Sequence, residues 1–171
     1  MNLKRIFFAL WPDHRQRERL RDLIGPVAKE VEGRAVDRRD WHVTLAFIGD
    51  LDVRFIPGLM EAARGIRMEP FRLRLDRLEF WPRPKIAAVV PPRVPPDMEV
   101  LVDRLNSLVM DVGVEPQDRV YRPHITVVRN ARHFEPIKLP PSAELEWSNF
   151  ELLESVSEHG RTWYRPLLKD F

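Results

Sequence analysis

Two short stretches constrain this chain more than any other feature: Trp41 to Phe47 (WHVTLAF) and Pro123 to Val128 (PHITVV), each with a His and a Thr two residues apart in an apolar run. Strand side chains alternate between faces, so as strands these runs put His42 on the same face as Thr44, and His124 on the same face as Thr126. The chain has three Thr and five His in all. Shuffling produces two such pairs only on the order of a few times in a thousand. The surroundings repeat as well. An advance of about 81 residues lays Leu20, Ile24, Val27 and Val31 onto Leu101, Leu105, Leu108 and Val112, and one of about 82 lays His42 onto His124. Each half therefore has the order strand, helix, HxTx strand. The 171 residues read as one domain of two related halves, about 1–82 and 83–171.

Local signals fill in the rest. Lys4 to Leu10 is predicted as a buried strand, followed by a helix with Pro12 at its first position and Asp13 at its positive end. Leu20, Leu23, Ile24, Val27 and Val31 form the apolar face of that helix, and Gly25-Pro26 predicts a kink or an early end. Arg34 to Asp40 reads as a polar turn. In the first motif strand Trp41, Val43, Leu45 and Phe47 are expected on the core face and His42, Thr44 and Ala46 on the other, with Gly49 and Asp50 ending the strand. Pro57, Leu59, Met60 and Ala63 predict a short helix. Phe71, Leu73 and Leu75 predict a strand whose phase slips to Leu78 and Phe80, the mark of a bulge, before a turn at Trp81 to Pro84. Ile86 to Val90 reads as a strand, Pro91 to Pro96 as a rigid connection, and Met98 to Val112 as an amphipathic helix. Leu139 to Pro141 is expected to be a loop, and Trp147 to Ser157 with Arg161 to Leu168 a closing hairpin around Glu158-His159-Gly160.

Several chemistries are excluded or disfavoured. There is no Cys, which removes disulfides, thiolate nucleophiles and Cys-ligated metals and fits the reducing cytoplasm. No stretch approaches the ~20 apolar residues of a membrane span. A net charge of +2 does not make a polybasic nucleic-acid binder, although the Arg-rich base content suits a local phosphate site. Glycine-rich phosphate loops and a GxSxG elbow are absent. What the pairs offer is acid-base chemistry. With an unperturbed pKa of about 6.5, one His accepts a proton while another donates one, as in-line displacement at phosphorus requires. Thr hydroxyls beside them suit the non-bridging oxygens. The scheme needs no metal or other cofactor. The bland alternative is that both His are satisfied polar residues on half-exposed strands. His14, His133 and His159 read as solvated surface residues, and Tyr121 and Arg122 as residues that either touch a base or phosphate or simply pack.

Together RIFFALWP, WHVTLAFIG and RPHITVVR resemble the two-histidine (2H) phosphoesterase superfamily, and within it the bacterial and archaeal RNA 2',3'-cyclic phosphodiesterase branch, also called the 2'-5' RNA ligase family. The resemblance spans nearly the whole chain. It implies a bilobal α+β fold, two antiparallel sheets lining a central cleft with helices packed outside, and metal-independent opening of an RNA 2',3'-cyclic phosphate to a 2'-phosphate. By position it makes His42 the proton donor, His124 the proton acceptor, and Thr44, Thr126 and Arg129 the substrate-binding residues. Strict alternation puts Arg129 opposite His124, so its role requires a bulge or a turn there. The expected partner is RNA or a nucleotide with a 2',3'-cyclic phosphate end, bound by a monomer. A non-catalytic nucleotide-binding module of the same fold and a 2'-5' RNA ligase are the alternatives.

Overall fold

A computed structural model describes residues 1–167 of the chain, apart from the side chains of residues 140–142. Strand β1 (Leu3–Leu10) buries Ile6, Phe8 and Leu10 completely. Helix α1 (His14–Ala28) starts two residues later than the Pro12 signal suggested, because Asp13 is the cap: its carboxylate accepts from the Gln16 amide, and the Gln16 side chain accepts from the Asp13 amide. The helix buries Leu20, Leu23 and Ile24, worth about 1.5–3 kcal/mol each. It ends two residues past Pro26, which has no amide hydrogen for the preceding turn.

The Arg34 to Asp40 segment is more than a polar turn. It contains the two-residue strand β2 (Arg34–Ala35) and a 3-10 turn at Arg38–Asp40. Then come β3 (Val43–Asp52), α2 (Ile56–Arg64) with Pro57 in its first turn, β4 (Phe71–Trp81), β5 (Ile86–Val90) and α3 (Pro96–Asp111). The chain closes with β6 (Ile125–Arg129), β7 (Ile137–Trp147), β8 (Glu151–Glu158) and β9 (Arg161–Pro166). The Leu139 to Pro141 segment expected as a loop lies within β7. Arg77 pairs with Lys138 and Leu75 with Ala143, so the intervening residues form a bulge that matches the phase slip in β4. The expected strand from Trp147 to Ser157 is two strands in different sheets, with Trp147 buried at the end of β7. The β8–β9 hairpin turns at His159 and Gly160, both with positive φ, the geometry of a two-residue type I′ turn. Leu168 lies outside the described residues.

All strand pairs are antiparallel, in two sheets ordered β3-β1-β8-β9 and β2-β6-β5-β4-β7, so the fold is α+β. In each sheet the HxTx strand, its predecessor from the same half and a strand from the other half follow in the same order: β3-β1-β8 and β6-β5-β4. The helices cross over too. α1 packs on β7 and β6, and α3 packs on β3. One apolar core joins Phe8, Leu20 and Ile24 to Leu73, Leu105, Ile125 and Trp147. The other sheet faces carry two separate apolar patches, Phe7, Ala9 and Leu153 on one and Ile86, Ala88 and Val90 on the other, and these faces hold the histidines.

Candidate active site

Both motif strands break their alternation one residue after the threonine. Thr44 pairs with Ala9 and Ala46 with Phe8, leaving Leu45 as the extra residue; Thr126 pairs with Ala88 and Val128 with Ala87, leaving Val127. A bulge advances the strand by one face, and its consequences are direct. Val127 and Val128 are both buried and Arg129 comes onto the face of His124 and Thr126. Of the bulge or turn that a role for Arg129 required, the strand has the bulge. In β3 the same device buries Ala46 and turns Phe47 out of the core, against the sequence expectation. Phe47 is 36% exposed, with the Arg5 guanidinium 4.9 Å from its ring centre. A second bulge lets β3 continue past Gly49 to Asp52.

The two histidines are built alike. His42 Nδ1 lies 2.7 Å from the Asp40 carbonyl and His124 Nδ1 lies 2.9 Å from the Arg122 carbonyl. A carbonyl only accepts, so each Nδ1 carries the hydrogen and each Nε2 is left to take or give a proton. Aromatic rings hold both imidazoles: Tyr164 at 4.6 Å and Phe7 at 5.1 Å from His42, and Trp81 at 4.4 Å from His124. Burial lowers the pKa of His42 to about 4, with further lowering by the charges of His124, Arg129 and Arg17. Burial also lowers His124, with Arg122, Arg119 and Arg129 acting in the same direction. His124 thus bears on His42, and Arg129 bears on both.

The chain reaches this arrangement through β2. Its pairing with β6 (Arg34 with Arg129, Ala35 with Val128) and the bond from the Val36 amide to the Val127 carbonyl leave six residues to His42 in the opposite sheet. Around the histidines stand residues that periodicity did not single out. The Tyr164 hydroxyl accepts from Arg129 Nη2 at 3.0 Å, and the Tyr164 amide donates to Asp40 Oδ1 at 3.1 Å. Glu79 accepts from Arg77, the Trp81 indole and Arg122, holding Trp81 against His124. Thr44 and Thr126 are half-buried on the histidine faces, opposite Ala9 and Ala88. His14, His133 and His159 are exposed. No group of three His, Asp or Glu placed to hold a metal occurs among the described residues.

Two histidines with matched tautomers, on two bulged strands of a duplicated α+β fold, define the class of two-histidine phosphoesterases. The comparisons with known proteins agree. The family described as LigT like Phosphoesterase matches residues 10–90. The RNA 2',3'-cyclic phosphodiesterase of Escherichia coli is 30% identical over 168 residues, 96% of this chain and 94% of that protein. The protein of the same name from Aeropyrum pernix is 30% identical over 114 residues, 65% and 64% of the two chains. The crystal structure of Escherichia coli LigT complexed with 3'-AMP superposes with a TM-score of 0.85 at 30% identity, covering 97% of this chain and 96% of that one. The chain belongs to the LigT-like phosphoesterase family.

Proposed function

We propose that this protein is a hydrolase, an RNA 2',3'-cyclic phosphodiesterase that opens a terminal 2',3'-cyclic phosphate to a 2'-phosphomonoester. The observation that carries this reading is the pair of Nε2 atoms freed by matching Nδ1–H to carbonyl bonds, with the charge of His124 felt at His42. His124 Nε2 takes a proton from water as the water oxygen bonds to phosphorus. The bond from phosphorus to the 3' oxygen breaks, and that oxygen takes the proton of His42 Nε2–H. Thr44, Thr126 and Arg129 hold the non-bridging oxygens, where negative charge builds up. The substrate's own negative charge favours a protonated imidazole beside it, which offsets the low pKa of His42 in the free protein. Neither step needs a metal. One chain supplies both histidines, which supports a monomer as the working unit, and the lack of Cys supports a cytoplasmic setting.

The relatives' names and the nucleotide in the LigT crystal structure support an RNA or nucleotide substrate. The test is incubation with 2',3'-cyclic AMP and with an RNA oligonucleotide ending in a cyclic phosphate, in excess EDTA. A 2'-phosphate product, lost in His42→Ala and His124→Ala, is expected. Undiminished turnover by either variant, or binding without product, refutes the assignment.

A further inference from the structure

Tyr121 occupies an unusual place relative to the two motifs. It stands three residues before His124, in the stretch that leads into β6, and its hydroxyl donates to the Thr44 carbonyl at 2.8 Å, 77 residues away in sequence. One hydrogen bond thus runs from the lead-in of the second motif to the backbone of the first. Thr44 lies on β3, which among the described residues pairs with β1 and has no strand on its outer side. The Tyr121 ring packs against the main core, and burial raises the phenol's pKa, so the hydroxyl stays protonated and keeps donating. With its proton committed to Thr44, this group is a brace within the protein and not the base or phosphate contact that its position before the motif suggests.

We infer that Tyr121 is a positioning residue for the proposed phosphodiesterase site, its bond to the Thr44 carbonyl setting the separation of the two HxTx motifs. The other ties are less direct. The β2–β6 pairing ends at Val36, six residues short of His42, and the Arg129 to Tyr164 bond joins side chain to side chain. The β1 ladder holds the strand that carries Thr44 within its own sheet, and the Tyr121 bond ties that backbone, with His42 two residues back, directly to the lead-in of the second motif. Movement of that backbone displaces acid and phosphate ligand together relative to His124, and a displacement of about 1 Å costs roughly 100-fold in rate. The displaced groups act most strongly in the transition state, where His42 gives its proton and Thr44 meets the growing negative charge, so the effect falls mainly on kcat.

Tyr121→Phe tests this, since it removes the hydroxyl and keeps the ring. With 2',3'-cyclic AMP, kcat is expected to fall about 10- to 100-fold while KM changes less than about threefold. A kcat within about twofold of the parent overturns the inference, and impairment of Tyr121→Ala alone then assigns the residue to packing. A Tyr121→Phe protein that no longer melts cooperatively overturns it as well, in favour of a purely structural role. The imidazole titrations of His42 and His124, followed by NMR, give a readout that does not depend on turnover: both midpoints move in Tyr121→Phe if the separation changes, and unchanged midpoints refute the brace. If the parent protein fails to open the cyclic phosphate, the functional reading fails, while the titrations still decide the role of Tyr121.

Discussion

His42 provides a direct energetic test of the site. Unfolded, it titrates at about 6.5; folded, burial among Phe7, Tyr164 and Trp11 brings it to about 4. The two values are about 2.5 pH units apart, which at about 1.4 kcal/mol per unit makes about 3.5 kcal/mol, to order of magnitude for a half-buried ring. The sign follows from proton counting. Between pH 6.5 and 4 the unfolded chain binds a proton that the folded protein refuses, so this contribution is complete above about 6.5 and is lost as the pH falls through about 4. Urea denaturation of the parent and of His42→Ala at several pH values between 7.5 and 4 isolates it. The parent's advantage over His42→Ala is expected to shrink by about 2–3 kcal/mol across that range. An advantage constant to within about 0.5 kcal/mol refutes the argument that His42 is kept neutral by its surroundings. The kinetic counterpart is a bell-shaped kcat/KM profile centred below pH 6.5, because both histidines are lowered in the free protein. The kcat profile lies at higher pH, raised by the bound phosphate; coincident profiles count against the scheme.

Other substitutions probe the remaining parts. Arg129→Ala removes a charged donor and is expected to lower kcat/KM about 10- to 100-fold, whereas Tyr164→Phe, which frees Arg129 but keeps the ring against His42, costs about tenfold or less; equal effects mean that Arg129 acts only through Tyr164. Thr44→Val and Thr126→Val keep shape and remove a donor, and each should lower kcat by about 100-fold with an unchanged melting temperature; full activity in both removes the threonines from the scheme. Gly33→Ala places a Cβ 2.6 Å from Val128 Cγ1 and 2.8 Å from the Arg129 carbonyl, at a φ of +150°. It is expected to cost about 1–3 kcal/mol in urea denaturation and to reduce turnover by disturbing the strand that carries Arg129; a neutral result argues against the tight β2–β6 seam.

Much of the site was legible because its signals are local. Side-chain alternation put each His beside its Thr, helical spacing located α1 and α3, and the matched spacing of the halves tied the two motifs together without a contact map. What failed depends on partners distant in sequence. Leu45 and Val127 are apolar on either face, so nothing in the chain marks them as the extra residues of bulges; the mismatch with β1 and β5 decides it, turning Phe47 outward and Arg129 inward. Two-residue β2 has no periodicity to detect and exists because β6 offers an edge. Tyr121, Tyr164, Asp40 and Glu79 belong to the site only because strand order brings remote segments together. By itself the sequence determined which residues share a face and what chemistry they carry, since the steric period of a strand is set residue by residue. Tertiary structure decided which faces meet, at what separation and with which braces, since strand pairing and burial are settled only when the whole chain packs.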